Sequence, residues 1–507
     1  MSAPRASERF DAVVVGGGFG GLGAALAFAR AGKRVALCET LRYLGGCAGT
    51  FSRGGASYAA GATLGAGFAP GQALRTWLEE EQLWGELELE PLEPVLELRT
   101  TGISLSIDGA PRGVERALLA LPGAPRERLA RFFDRQRRVS AALWPLLDDP
   151  ERLPRLRGRG WFEALALVPR LLPHARLLLG TAFRPLTHEL ARAGLADYAP
   201  LRCFADALCQ ITLQCRAAEA ESPLALAAFD YYERGVAHVR GGLGALAQLL
   251  GRAIERRGGS ILLAQRVAAI ERAGGEFTLR LRDRSLRAPL VALNVLPGDA
   301  AALLPLAPRE RAPFSRGQAR VESGWGACML YRRLSPELAL GAEARHWQLV
   351  RDPASAPIEG HGVFASLASA RDASAGSAAP RDLARTLTVS THVDLGALRA
   401  LPELERGARV AAIQERMRGT LAELLPELEG TVLSELSASP RTFERFTGRG
   451  GGWVGGVPRR AGLSAYAELR PPRWPRGVAL VGDSFFPGQS ALAAAVGGYR
   501  SALALLG

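Results

Sequence analysis

The first 40 residues show the clearest pattern of apolar and polar positions in the chain. A β-branched run at 13–15 is typical of a buried parallel strand. A glycine-rich turn follows at 16–21, then an apolar helix over 22–31 and a second apolar strand over 34–38. The pattern therefore predicts a strand, a tight turn, a helix and a neighbouring strand, which is the start of a parallel α/β fold.

The rest of the chain alternates between helical and strand patterns. Residues 113–148 carry helical periodicity, and 236–299 return to strands around one helix. Residues 320–395 read as further strands, for which an antiparallel sheet is the simplest arrangement. An amphipathic helix with apolar positions from Val410 to Leu424 is expected to pack on that sheet and to end before Pro426.

Length and charge set the broad class. The 507 residues are 48% hydrophobic and 22% charged, which suits two or three globular domains with large cores. The net charge of +13 could suit an acidic partner, but Lys33 is the only lysine, so the charge is almost all arginine. Because no basic run is interleaved with aromatic residues, nucleic-acid binding is not expected.

The cysteines and the amino terminus give no sign of secretion or of a metal. The six cysteines form no C-x-x-C pair and no metal-finger spacing, so we expect reduced thiols in a cytoplasmic protein and no metal site. Residues 1–10 lack an apolar signal region. The apolar run over 13–29 is better explained by the strand, turn and helix than by a membrane span, because glycines interrupt it.

The turn carries a dinucleotide-binding pattern, Gly16-x-Gly18-x-x-Gly21. Gly16 permits the tight turn, Gly18 lets a pyrophosphate approach the backbone, and Gly21 lets the helix pack closely on the strand. The N–H groups that begin the helix then face the phosphates, next to Phe19 and Gly20. Glu39 ends the second strand, 18 residues after Gly21, where its carboxylate can accept both ribose hydroxyls of an adenosine.

The glycine pair Gly45-Gly46, in ETLRYLGGCAGTF, resembles the extension found in the amine-oxidase and phytoene-desaturase superfamily of flavoproteins. This resemblance implies that the dinucleotide is FAD and adds Arg42 to the expected contacts. Residues 52–75 would run past the flavin, although Ala59-Ala60-Gly61 stands where the family has Asp-x-Gly.

A second glycine pattern, Gly242-x-Gly244-x-x-Ala247, mimics another fingerprint. We reject it as an NAD(P)H site, because the strand before it is very short and the strand after it ends without an acid. Nearby, Val267 resembles by its position the residue whose backbone meets the adenine in this superfamily.

The carboxyl-terminal stretches 439–458 and 476–506 resemble those of bacterial carotenoid desaturases and carotenoid isomerases. Gly482-Asp483 ends a buried strand, and Gly488-Gln489 precedes a new helix from about Ser490. A carboxylate at this point can accept a hydrogen bond from a ribityl hydroxyl, and the resemblance assigns that contact to Asp483. The helix amino terminus could stabilise negative charge on reduced flavin.

The strand and helix pattern predicts an α/β fold, and the resemblance implies one of the glutathione-reductase and amine-oxidase type. A Rossmann-type FAD-binding domain would be assembled from three parts of the chain, with an α+β substrate domain that carries a helical cap. The expected ranges are 8–75, 236–299 and 441–507 for the FAD domain, 76–235 for the cap and 300–440 for the substrate sheet and helix.

The implied activity is FAD-dependent desaturation of a carotenoid, with hydride transfer to flavin N5. Carotenoid cis/trans isomerisation and saturation remain alternatives, as does a non-catalytic prenyl- or lipid-binding role, whereas amine oxidation suits so basic a protein less well. Flavin would carry the chemistry, with His392 as a candidate proton acceptor if it lines the tunnel. Phe446 and Trp453 resemble tunnel-lining aromatics, although they could equally pack in the core.

Residues 155–186 alternate large apolar side chains with arginines around Pro169 and Pro173. The prolines exclude a regular spanning helix, so this stretch is expected to cap the cavity, to lie in a membrane interface, or both. Trp161 and Phe162 would then contact lipid, and the enzyme would bind the membrane peripherally from the cytoplasm. The electron acceptor, a quinone or oxygen, stays open.

Overall fold

The computed structural model describes residues 7–148, 169, 172–338, 340–374, 384–469 and 474–507. Trp161 and Phe162, expected to contact lipid, lie outside the described residues. So do the other residues of 155–168 and residues 170 and 171, and together these are half of the apolar, arginine-rich stretch 155–186.

A five-stranded parallel sheet forms the first layer. Its outer strands come from distant parts of the chain, and the β-branched run predicted at 13–15 lies at its centre with no exposed residue. This sheet confirms the predicted α/β fold. In spatial order its strands are Ser260–Leu262, Val35–Cys38, Ala12–Val15, Leu290–Leu293 and Val478–Leu480.

Three helices cover one face of this sheet: Phe19–Arg30, Leu243–Arg256 and Ala491–Leu506. The first and the last come from opposite ends of the chain and cross with their backbones in contact. A β-carbon at Gly498 would lie only 1.9 Å from the carbonyl oxygen of Gly20. Glycine therefore permits the close approach that holds the two ends together.

A four-stranded sheet packs beside the parallel sheet, with strands in the order Glu8–Arg9, Ser285–Ala288, Glu276–Arg280 and Ala269–Ala273. The strand pattern within 236–299 extends over Arg266 to Ile270 in the sequence. The structure begins that strand only at Ala269, so Arg266 and Val267 lie in the preceding loop. This shift matters because the loop borders the cavity described below.

A seven-stranded sheet forms the second layer. The purely antiparallel sheet expected here is wrong for one pair, because Arg345–Val350 and Leu96–Arg99 run parallel. Two of the strands also come from the range expected to form a helical cap. In spatial order the strands are Val432–Ala438, Gly326–Leu334, Arg385–Val393, Gly362–Leu367, Arg345–Val350, Leu96–Arg99 and Ser104–Ile107.

The predicted amphipathic helix forms over Glu403–Leu424 and packs on this sheet. Ile413, Met417 and Leu421 are fully buried at its contact face, as their spacing requires. Shorter helices form at Pro297–Leu303, Pro308–Val321, Ala370–Ser374, Leu395–Ala400 and Pro440–Thr447, and the first of them packs beside the four-stranded sheet.

A helical layer lies over the strand Leu96–Arg99 and its neighbour, and aromatic and leucine side chains fill its core. Among the described residues, no helix is both long and apolar enough to cross a membrane. The helices of this layer are Gly113–Leu119, Arg126–Asp148, Ala175–Leu179, Leu186–Arg192, Ala199–Thr212 and Ser222–Ala228. The helix Ala73–Glu80 instead packs with the helices that cover the parallel sheet. Two small antiparallel two-stranded sheets complete the fold: the hairpin Thr50–Arg53 with Ala56–Ala59, and the pair Leu89–Glu90 with His238–Val239 from distant parts of the chain.

Candidate functional site

A cavity of about 1130 Å³ runs from the carboxyl edge of the parallel sheet into the helical layer. One end is lined by the glycine turn, Glu39 and backbone atoms. The other end is lined mainly by aliphatic and aromatic side chains. The carboxyl edge of a parallel sheet is where dinucleotides bind in this type of fold.

The glycine turn leaves no room for side chains. Gly16 has a φ of +99°, and a β-carbon there would lie 2.8 Å from the carbonyl oxygen of Asn294. A β-carbon at Gly18 would lie 2.8 Å from Asn294 Nδ2, and one at Gly21 would lie 1.9 Å from Gly16 O. The bare backbone of this turn is the surface that a pyrophosphate can approach.

Asn294 is a site residue that the sequence reasoning missed. It follows the strand Leu290–Leu293, and its Nδ2 donates to Gly16 O at 3.3 Å. A β-carbon at Gly20 would lie 2.8 Å from Asn294 Oδ1 and 2.6 Å from Gly482 Cα. Asn294 thus joins the glycine turn to the turn that carries Asp483.

Glu39 lies at the cavity wall with only 7% of its surface exposed. Its Oε2 accepts from Gly17 N at 2.6 Å and its Oε1 from Leu41 N at 2.7 Å. Burial raises the pKa of this carboxyl, although both N–H groups oppose the rise. Each carboxylate oxygen has further acceptor capacity, so the geometry fits a ribose whose hydroxyls donate to Glu39.

The glycine pair Gly45-Gly46, which follows Glu39, packs directly against the glycine turn. Gly45 N donates to Gly17 O at 2.9 Å, and Gly45 has a φ of +110°. A β-carbon at Gly46 would approach Gly18 Cα at 3.3 Å. Arg42 differs from the other predicted contacts, because it is exposed and does not line the cavity.

Val267 lines the cavity from the loop that precedes Ala269. In the same loop, Gln265 N donates to the backbone oxygen of Glu39 at 2.8 Å. The predicted adenine-side residue and the predicted ribose-side residue are therefore brought next to each other.

Asp483 follows the strand Val478–Leu480 and lines the cavity on the side opposite Glu39's strand end. Arg449 Nη2 donates to its Oδ1 at 3.1 Å. The backbone of Gly456 packs directly against that of Asp483, since a β-carbon at Gly456 would lie 2.2 Å from the carbonyl oxygen of Asp483. Arg449 is a second site residue that the sequence reasoning did not single out.

The turn after Asp483 leads into the last helix. Gly488 has a φ of +123°, and Gln489 lines the cavity beside it. Ser490 caps the helix Ala491–Leu506 by accepting from Ala493 N at 3.0 Å, and it does so at a φ of +103°. The amino terminus of this helix faces the cavity, where it favours negative charge.

The far arm of the cavity is apolar. Its wall is built from helices that lie far apart in the sequence, which is why periodicity alone did not identify it. Six representative side chains of this arm are Leu143, Leu178, Ile211, Leu224, Ala227 and Tyr231.

His392 lines the cavity, as its proposed role as a proton acceptor requires. An imidazole ordinarily titrates near neutrality, but burial lowers the pKa of His392 to about 4. Its ring packs edge-on against Trp325 at 6.2 Å. His392 is therefore a neutral imidazole at neutral pH and a weak base.

The two aromatic residues expected in the tunnel lie elsewhere. Phe446 is 49% exposed, and it lies outside the cavity wall near the end of the helix Pro440–Thr447. Trp453 is buried in the core under the seven-stranded sheet, which is the core-packing alternative. Phe443, one turn before Phe446, does line the cavity.

The side chain of Thr50 contacts the second glycine pattern, Gly242-x-Gly244-x-x-Ala247, which the sequence analysis rejected as an NAD(P)H site. Thr50 Oγ1 donates to Gly241 O at 3.0 Å and accepts from Gly244 N at 3.3 Å, so it covers the helix amino terminus at this point. Within the described ranges, no group of three or more histidine, cysteine or acidic side chains could hold a metal ion.

Comparison with known proteins agrees with this geometry. Residues 14–80 match the family described as NAD(P)-binding Rossmann-like domain. The chain is 25% identical to prolycopene isomerase 2, chloroplastic, of an Oncidium hybrid cultivar, across 98% of this chain and 84% of that protein. It is also 46% identical to human all-trans-retinol 13,14-reductase, but only over 61 residues, which are 12% of this chain and 10% of that protein.

Solved structures share the architecture over nearly the full length. An oxidoreductase from Methanosarcina mazei superposes with a TM-score of 0.63 at 18% identity, covering 97% of this chain and 98% of that one. A redesigned putrescine oxidase gives a TM-score of 0.61 at 16% identity, covering 99% and 100%. The chain thus has a Rossmann-like α/β fold that it shares with solved amine-oxidase structures over nearly its full length, and it is distantly similar to prolycopene isomerases.

Proposed function

We propose that this protein is an FAD-dependent oxidoreductase that acts on a long apolar polyene of the carotenoid class. The observation that carries the proposal is the continuity of the cavity, which joins a dinucleotide cradle to an apolar arm. Its volume of about 1130 Å³ is above the roughly 300–1000 Å³ of common ligand pockets. One cavity of this size suits a cofactor and a second ligand together.

The residues present fit FAD as the dinucleotide. Glu39 would hold the adenosine ribose, the turn from Gly16 to Gly21 the pyrophosphate, and Asp483 a ribityl hydroxyl. When bound, the flavin would supply hydride acceptance and donation at N5. The chain's own contribution is to fix this group against the apolar arm and to keep water out.

The apolar arm supports a hydrocarbon substrate more than an amine. The side chains that line it offer extensive apolar surface, and burial of such surface is the main source of affinity for a polyene. His392, neutral at pH 7, could still accept a proton from a strongly acidic polyene cation, but its low pKa makes it a weak general base.

Desaturation by loss of hydride and a proton is our first candidate reaction. A second candidate, cis/trans isomerisation, is favoured by one observation, the similarity to prolycopene isomerases over 98% of this chain. A third candidate, saturation of a double bond, is the reverse of desaturation, because the substrate is reduced instead of oxidised. Its support is the short match with a retinol reductase.

A hydrocarbon substrate is dissolved in membrane lipid, so we propose that the protein binds membrane surfaces peripherally. Large apolar side chains are exposed next to the cavity wall. Leu179 lines the cavity and is 70% exposed, and Leu463, 78% exposed, lies near the cavity residue Tyr466. The rings of Phe183 and Tyr466 meet edge-on at 5.8 Å and connect these two regions.

The test begins with the absorption spectrum of the purified protein, followed by anaerobic incubation with a lycopene- or neurosporene-type carotenoid in liposomes. Flavin bleaching with a longer-wavelength carotenoid product would establish desaturation. Geometric change that occurs only after prior flavin reduction, without net flavin turnover, would establish isomerisation. A protein that neither contains nor takes up flavin would contradict the proposal and favour a non-catalytic lipid carrier.

A further inference from the structure

Arg449 and Asp483 form an ion pair in the wall of the cavity. Arg449 Nη2 donates to Asp483 Oδ1 at 3.1 Å, and only 16% and 21% of the two side chains are exposed. Arg449 Nε also donates to the backbone oxygen of Trp453 at 2.6 Å. Two anchors therefore fix the guanidinium, and the carboxylate of Asp483 is oriented by it.

Other charged groups lie near this pair, among them Arg266 and Arg459 in the cavity wall and Glu444, which accepts from Gly451 N at 2.9 Å. Asp299 also lines the cavity and accepts from Gly450 N at 3.0 Å, and burial raises its pKa. The thiol of Cys47 is buried on the same side, and burial raises its pKa too, so it stays neutral. Burial alone would lower the pKa of Arg449, but Asp483 raises it above its ordinary value, which keeps the guanidinium charged.

We infer that Arg449 is a positioning residue that holds Asp483 towards the cofactor and, through its positive charge, makes the bound flavin easier to reduce. This inference rests on the proposed FAD function. It assigns a role to a residue outside the glycine turn, Glu39 and the Gly482-Asp483 motif.

The physical reason is the charge balance in a partly buried site. Reduction places negative charge on flavin, and a fixed cation nearby stabilises that charge more than water would. Asp483 has the opposite effect and is neutralised by its partner. Removing Arg449 leaves the Asp483 anion uncompensated, whereas neutralising Asp483 leaves the Arg449 cation uncompensated.

The two variants Arg449→Gln and Asp483→Asn should therefore shift the flavin midpoint potential in opposite directions. We expect the ratio of reduced to oxidised flavin at a fixed potential to fall about tenfold in Arg449→Gln, a shift of about 30 mV to lower potential for two electrons. Asp483→Asn should shift it upward. The potentials would be measured on the flavin-loaded full chain by slow anaerobic reduction beside a reference dye.

Arg135→Gln is a matched control. Arg135 is 15% exposed and donates to the buried Glu189 at 2.6 Å, but it does not line the cavity. This variant removes an ion pair of similar burial and should leave the potential unchanged. Arg449→Lys, which keeps the charge, should restore most of the lost potential.

The outcomes separate the inference from the proposed function. Shifts of opposite sign, absent in the control, support the role of Arg449. Flavin bound with equal potentials in all variants, or with both variants shifted in the same direction, would overturn it while leaving the FAD function intact. A wild-type chain that cannot be loaded with flavin would overturn both.

Discussion

A β-carbon at Gly23 would lie 2.0 Å from the carbonyl oxygen of Ala495. Gly23 is in the helix that follows the dinucleotide turn, and Ala495 is in the last helix of the chain, so this contact joins the two ends of the protein. The same crossing positions the amino termini of both helices at the cavity. The fold of the site therefore depends on backbone contact between helices as well as on the glycines of the turn.

Gly23→Ala should destabilise the fold, because the helices must separate to admit a methyl group. Overpacking of this kind costs about 1–3 kcal/mol. The measurement is the unfolding midpoint in heat or denaturant. Gly407→Ala is the control, since Gly407 is exposed in the helix Glu403–Leu424 with nothing within 4 Å of the added carbon. That variant should gain up to about 1 kcal/mol from helix propensity, and equal behaviour of the two would contradict the close crossing.

The parts of the fold that were predictable from sequence are those set by local chemistry. The strand, turn, helix and strand before Glu39 form in sequence order, and each glycine has a steric reason that can be stated before the structure is known. The strand and turn around Asp483 were predictable for the same reason. The helix Glu403–Leu424 followed from its apolar spacing.

The parts that were not predictable depend on contacts between distant segments. Asn294 and Arg449 enter the site only because separate strands and turns meet there, and neither has a sequence motif of its own. The parallel pairing of Leu96–Arg99 with Arg345–Val350 is equally non-local. The positions of Phe446 and Trp453 could not be predicted either, since an aromatic residue near a motif can face solvent, core or cavity.

Glu39→Gln should weaken FAD binding. A carboxylate forms charge-assisted hydrogen bonds with ribose hydroxyls, and loss of one such bond costs about 1.5–3 kcal/mol, roughly tenfold to a hundredfold in affinity. The dissociation constant would be measured by flavin fluorescence on apoprotein.

Glu271→Gln is the control for Glu39→Gln, because it removes the same carboxylate charge away from the cavity. Glu271 pairs with Arg280 on the surface of the four-stranded sheet, with 53% and 59% of their side chains exposed. Flavin affinity should be unaffected there. An unchanged affinity in Glu39→Gln would argue that the ribose does not contact this residue.

Acid should destabilise the protein partly through His392. Its pKa falls from an ordinary 6.5 to about 4 on burial, so below pH 6.5 the unfolded chain takes up a proton that the folded chain does not. Stability is then lost as the pH falls from 6.5 towards 4, by up to about 3 kcal/mol from this residue. His392→Leu should lose less stability over that range.

Denaturant unfolding at several pH values would measure this effect. Near pH 8 His392 is almost entirely neutral in both states, so the wild type and His392→Leu should give parallel curves there. Their curves should separate increasingly as the pH falls through 6.5 towards 4. Parallel curves down to pH 4 would show that His392 is not held neutral by burial.

Ala182→Phe should fill part of the apolar arm without touching the dinucleotide cradle. Ala182 lines the cavity beside Leu178 and Leu179. We expect loss of carotenoid binding with an unchanged flavin spectrum, measured by anaerobic titration with a carotenoid in liposomes. Ala191→Phe, on an exposed position of the helix Leu186–Arg192, adds the same ring outside the cavity and should bind normally. Normal carotenoid binding by Ala182→Phe would place the substrate elsewhere.

An apolar substrate dissolved in lipid needs a route into the cavity. If Leu179 and Leu463 contact lipid, replacing both with serine should weaken binding to anionic liposomes, because each buried leucine contributes about 1.5–3 kcal/mol. Cosedimentation with liposomes measures this directly. Leu404→Ser is the control, since Leu404 is 94% exposed and lies on the helix Glu403–Leu424, away from the cavity wall. If Leu404→Ser weakened liposome binding as much as the double variant, the surface beside the cavity would not be the membrane contact. If only the double variant lost binding, the cavity would open where the protein meets lipid.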